Sequence, residues 1–299
     1  MYSNDAVTAE LLKDIDVVFW EWGWTPEHPA NILKIRSLYQ GPILVFPGAP
    51  DRFMRNTPGR DWPLHMQAAS ACTHVGVMIE DSIPWYQALC PQAKVFHLPV
   101  PLPTDRYRPY ANTIRAIDRT QPIPVMLSAP TTLNGESSRL EHPTFLIFKA
   151  LREKYPVKGL CFSEFYDQDQ ADVRAFLTSL GLENDVTLSR YMPEAEFLKA
   201  VAAHPLAIFM PHMLVQGRMA MVQAALGIPT ICSKEISTHR HLFSQTSVGW
   251  FDIPQAVQLA TRLIEDADFY RAVQQHALSA AEFYNSDACL ARLTEALRR

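Results

Sequence analysis

Along the first third of the chain, short apolar runs recur between polar stretches, and glycine or proline fences most of them. Residues 15–22 (IDVVFWEW) are dense in β-branched and aromatic side chains and follow a charged helical stretch, so they predict a strand. Residues 41–48 (GPILVFPG), 74–81 (HVGVMIED) and 93–101 (AKVFHLPVP) predict three more. Helices are predicted between them, among them 29–40 and 62–72. Strands that alternate with helices imply βαβ units and a parallel sheet.

The run LPVPLPTDRYRPY (98–110), with prolines at 99, 101, 103 and 109, breaks this rhythm and predicts an irregular interdomain connector. The alternation then resumes. Strands are predicted at 123–130, 158–165, 185–193, 206–211 and 228–233, with helices at 141–156, 170–182, 194–205 and 217–227 between them. Gly181 and Gly227 are expected to close two of these helices, and the carboxylate-rich first turn of the 194–205 helix suits the helix dipole. The chain finishes in helices. The expected fold is α/β, with an N-terminal domain over 1–110 and a second over 111–274. The C-terminal helix, about 275–299, packs back on the first. In doubly wound α/β domains ligands sit at the carboxyl ends of the strands.

Composition narrows the function classes. Of 299 residues, 48% are hydrophobic and 19% charged, with a net charge of −4 and a pI near 6.2, which argues against a general polyanion binder. The five cysteines (72, 90, 161, 232 and 289) form no CxxC pair, so neither a disulfide scaffold nor a zinc site is expected. No basic leader followed by a long apolar run opens the chain, and no segment approaches the roughly 18 apolar residues of a membrane span. A cytoplasmic setting is expected.

Two stretches carry a resemblance. VTLSRYMPEAEFLKAVAAHPLAIFMP (186–211) and GRMAMVQAALGIPTICS (217–233) resemble the strand, P-x-x-E helix, strand, glycine-led helix and A-x-G-x-P exit of one family. That family is the GT-B glycosyltransferases, in particular the donor-binding domain of the large retaining group that uses nucleotide sugars. PVPLPTDRYRPY (99–110) is similar to its interdomain linker ending in F-x-P, with Tyr107 in place of Phe. The resemblance covers roughly residues 93–285. It implies a GT-B-like fold, two Rossmann-like doubly wound domains facing a cleft, and transfer of a sugar from a UDP- or GDP-linked donor to a hydroxyl acceptor. The nucleotide sugar would be a co-substrate, with no other cofactor and no metal.

Read onto this sequence, the diphosphate would lie at the helix opened by Gly217 and Arg218, where backbone N–H groups and a cation meet anionic oxygens. Arg139 would add a second cation. His142 stands beside it as either a phosphate contact or a neutral helix-capping residue. Ser128, Thr131, Arg190, Tyr191, His212 and Gln216 are candidates for the donor sugar or nucleoside. Asp51 is the leading candidate for a catalytic or acceptor-orienting group. Glu21, flanked by Trp20 and Trp22, is the second, as a base. The chain departs from the family at its paired glutamates. Counting back from Gly227 places Val222 and Leu214 there, and Gln223 lies about 100° around the helix axis from the first of these.

Three readings follow: a compact glycosyltransferase, a catalytically silent relative that binds a nucleotide, glycan or protein, and a glycosyltransferase acting on modified DNA bases. The last rests on arginines 52, 55, 60, 106, 108, 115 and 119.

Overall fold

The computed structural model describes residues 7–23, 27–48, 57–114, 116–127, 142–162, 167–190, 192–211 and 216–298. The chain divides into two compact units, Met1–Val100 with Asp287–Arg299, and Pro101–Ser286.

The first unit runs α1 (Ala9–Leu12), β1 (Val18–Trp22), α2 (Glu27–Leu38), β2 (Ile43–Pro47), α3 (Trp62–Ala71), β3 (His74–Val77), α4 (Ile83–Leu89) and β4 (Lys94–His97). Its strands pair in parallel in the order β1-β2-β3-β4, with Val18 opposite Ile43 and His74 opposite Lys94. The two-residue period of a strand sorts its side chains. Val18, Trp22, Ile43, Val45, Val75 and Val77 pack with Ile32, Ile35, Ala68, Ala69, Tyr86 and Leu89 of the helices. Phe19 and Glu21 alternate onto the other side of β1, where Phe19 is half exposed and meets Phe46 at 5.8 Å between ring centroids.

The second unit runs α5 (Thr104–Tyr107), β5 (Ile123–Leu127), α6 (His142–Arg152), β6 (Val157–Phe162), α7 (Asp167–Leu180), β7 (Val186–Ser189), α8 (Glu194–Ala202), β8 (Leu206–Phe209), α9 (Arg218–Ala225), β9 (Thr230–Ser233), α10 (Ser237–Leu242), β10 (Ser247–Val248), α11 (Ile253–Glu265) and α12 (Ala267–Ala281). The last helix, α13 (Ser286–Arg298), lies with the first unit, where the Lys94 ammonium donates to the Ala296 carbonyl at 2.6 Å.

Six parallel strands form the second sheet in the order β10-β9-β8-β5-β6-β7. The chain adds strands outward from β5 through β7, then returns to the other side of β5 and adds β8 through β10. The direction of winding therefore reverses between β5 and β8. Central position explains the composition of β8, whose four residues are all buried.

Glycine ends two helices by one device. Gly227 has φ +68, its N–H donates to Ala224 O and the next N–H, of Ile228, donates to Gln223 O. These two bonds are the Schellman closure, and the left-handed conformation is why glycine stands there. Gly181 (φ +69) closes α7 in the same way, with Leu182 N–H donating to Leu177 O.

Some expectations change. The proline-rich connector is not irregular throughout: it winds into α5 and a 3₁₀ turn at Arg108–Tyr110. Pro103 caps α5 and Pro109 falls in the first turn of the 3₁₀ segment, where a missing N–H costs nothing. The strand expected over 74–81 ends at Val77 and gives way to a 3₁₀ turn at Glu80–Ser82. The short elements α10 and β10 lacked a recognisable period and were not predicted. All five cysteines are buried thiols, and no described helix is long and apolar enough to cross a membrane.

Candidate functional site

The reversal between β5 and β8 locates the site. Loops leaving neighbouring strands in opposite directions open a crevice at their carboxyl ends, and ligands of doubly wound sheets bind there. Here α6 begins after β5 and α9 after β8, and a hydrogen bond from Met210 N to Thr144 Oγ1 (3.2 Å) ties the end of β8 to the first turn of α6.

Gly217 caps α9 at φ +72, a conformation costly for any residue with a Cβ. Its carbonyl accepts the first intrahelical bond, from Met221 N at 2.9 Å. Geometry then leaves the amides of Arg218, Met219 and Ala220 without carbonyl partners inside the helix, so its positive end faces the carboxyl edge of the sheet. Arg218 is the first helical residue and is exposed; among the described residues it forms no salt bridge. Beside it, Tyr107 is hydrogen-bonded to Glu194 at the start of α8. Burial, and then that carboxylate, raise the phenol's pKa, while Arg218 lowers it.

A second group of polar atoms surrounds the same helix end. β9 passes through residues 234–236 into α10, which places Thr238 and His239 against Gly217. A Cβ on Gly217 would stand 3.0 Å from Thr238 Cγ2 and 3.3 Å from His239 Cδ2. The His239 ring also lies 5.1 Å from that of Phe209 at the end of β8. His239 Nδ1 is 3.2 Å from Ser233 O. A carbonyl only accepts, so Nδ1 carries the proton and Nε2 keeps its lone pair. Burial pushes the pKa of His239 down to about 3, with the Ser233 bond opposing and Arg240 assisting. The ring is therefore neutral at physiological pH. Ser233 Oγ, Thr238 Oγ1 and His239 Nε2 are all buried and have no hydrogen-bond partner among the described residues.

The structure sorts the predicted residues. Gly217, Arg218 and Gln216 lie at the head of α9, and His142 opens α6 across the switch point. His142 packs edge-on against Phe176, with ring centroids 4.9 Å apart. Arg190 is exposed after β7, the outermost strand on that side, two strands from β5. Glu21 is exposed at the end of β1 in the other unit. Strand alternation turns it away from the core that takes Trp20 and Trp22, and its carbonyl accepts a hydrogen bond from His28 Nδ1 at 2.9 Å. Asp51, Ser128, Thr131, Arg139, Tyr191, His212 and Leu214 lie outside the described residues.

Val222 is in the core, and Gln223 is fully buried with its Oε1 accepting from Thr230 Oγ1 at 3.3 Å. Gln223 thus faces β9 rather than the head of the helix. Of the arginines that suggested a polyanion, Arg108 is paired with Asp105 and Glu282, and Arg60 is 3.8 Å from Asp61. Among the described residues, no three His, Cys, Asp or Glu side chains are grouped to hold a metal ion.

Sequence reasoning passed over Ser233, Thr238, His239, Glu194 and the placement of Tyr107. The one signal in the sequence was STHRH (237–241), a polar run directly after a buried strand at the ligand-binding edge.

No protein-family profile matches the chain, and no curated protein matches it by sequence. Solved structures do. A sucrose-phosphate synthase from Thermosynechococcus elongatus superposes with a TM-score of 0.72 at 11% identity, over 95% of this chain and 73% of that one. An α,α-trehalose 6-phosphate synthase from Burkholderia multivorans gives 0.73 at 15% identity, over 97% and 73%. An E. coli trehalose-6-phosphate structure bound with UDP-2-fluoro glucose gives 0.74 at 12%, over 97% and 75%. These are GT-B glycosyltransferases, and the fold of this chain is the GT-B fold.

Proposed function

We propose that this protein is a glycosyltransferase that moves a sugar from a UDP- or GDP-linked donor to a hydroxyl acceptor. The observation that carries this reading is the head of α9 at the carboxyl edge of the sheet, beside the switch point. There a left-handed glycine, first-turn amides and an exposed arginine converge. An anionic diphosphate suits all three. As the bond to the sugar breaks, negative charge grows on the leaving diphosphate, and the helix dipole with Arg218 stabilises that charge more than the ground state. Tyr107, with Glu194 against it, lies close enough to the arginine to feel its charge. In this reading the cation and the dipole serve where other transferases use a metal, and the acceptor hydroxyl gives up its proton. Asp51 and Glu21 are the candidates to take its proton. The bound E. coli neighbour carries a UDP-sugar analogue, which supports this donor class.

Calorimetric titration with UDP-glucose and GDP-glucose tests the proposal. Micromolar to millimolar binding that weakens about tenfold or more in Arg218→Ala is expected, since a charge-assisted hydrogen bond contributes roughly 1.5–3 kcal/mol. No binding of either sugar nucleotide at millimolar concentration overturns it.

A second reading is a nucleotide- or glycan-binding relative without transferase activity, and the burial of Val222 in the core favours it. Binding without slow hydrolysis of the donor, and without transfer to any sugar acceptor, would select it.

A further inference from the structure

Several buried polar atoms of residues 233–239, the end of β9 and the start of α10, pose a problem for the folded state; one, Glu235 Oε2, belongs to a carboxylate whose other oxygen lies toward Gly249 rather than Gly217. Ser233 Oγ, Thr238 Oγ1 and His239 Nε2 are buried with no partner among the described residues, although the great majority of buried polar atoms in native proteins have one. Leaving a buried polar atom unsatisfied destabilises the folded state, so a group outside the described structure is expected to meet them. Two of them share one place, and Ser233 is joined to them through its carbonyl, which His239 Nδ1 meets at 3.2 Å. Thr238 and the Cδ2 edge of His239, the carbon bonded to Nε2, are the nearest atoms to the position a Cβ on Gly217 would occupy, and Gly217 is the cap of the α9 site.

The chemistry of the three atoms defines their partner. Nδ1 of His239 is committed to the Ser233 carbonyl, so Nε2 can only accept a hydrogen bond. A deprotonated phosphate oxygen offers nothing to such an atom. A hydroxyl does, and the Ser233 and Thr238 hydroxyls can each donate to it or accept from it. We propose that Ser233, Thr238 and His239 form a neutral hydroxyl-recognition subsite beside the head of α9, taking a ring hydroxyl of the nucleotide sugar whose diphosphate α9 binds. This rests on the donor-binding reading above. With Val222 in the core, position 222 offers no polar group for the same task. The absence of a side chain at Gly217 keeps the subsite open, because a methyl group there would sit against Thr238 and the edge of the His239 ring.

The hydroxyl belongs either to the ribose or to the transferred sugar, and the ligands of one experiment separate the two. Affinities of the full chain are measured by calorimetry for UDP, 2′,3′-dideoxy-UDP, UDP-glucose and UDP-2-fluoro glucose, and for the corresponding GDP set. Wild type, His239→Phe, His239→Asn and Thr238→Val are compared. Loss of the recognised hydroxyl should weaken wild-type binding about tenfold, the scale of one net hydrogen bond. His239→Phe should bind the hydroxylated ligand about tenfold more weakly and be indifferent to removal of that hydroxyl. His239→Asn, with an amide that can donate to Ser233 O and accept from the ligand, should restore part of the discrimination. A wild-type ratio between dideoxy and ribo ligands marks the ribose as the source; a ratio between glucose and fluoro-glucose donors marks the sugar.

An unchanged hydroxyl preference in His239→Phe and in Thr238→Val overturns the inference and leaves a buried water as the partner of these atoms. If His239→Phe does not fold, Thr238→Val carries the same comparison. Binding that depends on Arg218 but on no hydroxyl sinks this inference alone, whereas absence of all nucleotide binding sinks both it and the function from which it starts.

Discussion

His239 makes the stability of the second unit sensitive to acid in a way that can be worked out beforehand. Its folded pKa is about 3 against an ordinary 6.5, because burial disfavours the imidazolium. Between these values the unfolded chain binds a proton that the folded chain refuses. The resulting penalty is absent above pH 6.5, grows as pH falls toward 3, and is constant below that. One pH unit of this interval corresponds to about 1.36 kcal/mol, so lowering the pH to about 5 should remove roughly 2 kcal/mol. At pH 3 the loss approaches about 5 kcal/mol, an upper bound set by the shift. Burial also lowers the pKa of His204, His65 and His74, and these steepen the acid side in the same direction. They remain in a His239→Phe variant, so the difference between the two proteins isolates His239. Urea unfolding followed by far-ultraviolet circular dichroism at about pH 7.5 and about pH 5 should show the stability gap between wild type and His239→Phe shifting by about 2 kcal/mol in favour of the variant at the lower pH. A gap that shifts by less than about 0.5 kcal/mol would refute the buried neutral ring. So would an imidazole titration by NMR with a midpoint for His239 above about pH 5.5.

Gly217→Ala should cost about 1–2 kcal/mol through its left-handed φ of +72, and more through its methyl 3.0 Å from Thr238 Cγ2. Thermal denaturation reads the cost, and nucleotide binding should fall with it; an unshifted melting temperature contradicts the placement. Gly159→Ala in β6 would put a Cβ 2.8 Å from Leu127 Cδ1 and 3.2 Å from Phe148 Cζ, wedging α6 off the sheet. A loss of about 1–3 kcal/mol by urea titration is expected, and a neutral result would show that these side chains yield freely. Gln274→Leu removes one amide that donates to the carbonyls of Asn112 (3.4 Å), Ile114 (3.1 Å) and Gly227 (2.9 Å), strapping the entry segment of the second unit to α9 and α12. Stranding these acceptors should cost about 1–3 kcal/mol and speed hydrogen exchange around residues 112–114; unchanged exchange would place the strap elsewhere.

What the sequence by itself determined is local. Apolar runs of strand length between amphipathic helices specify an α/β fold because each period must bury its own face. Gly181 and Gly227 mark helix ends because their left-handed conformation is resolved within a few bonds. The glycine-led helix at Arg218 was legible for the same reason. Only the tertiary structure decided which strands are neighbours, and so that the sheet reverses between β5 and β8 and sets its crevice there. It also decided that Val222 and Gln223 face the core while Tyr107 and Glu194, far apart in sequence, meet beside Arg218. His239 shows the difference most sharply. In the sequence it is one histidine in a short polar run. Complete burial makes it neutral, one backbone carbonyl chooses its tautomer, and a glycine more than twenty residues earlier stands against its ring. Solvation and tautomer are properties of an environment, and the packing of separate elements creates that environment.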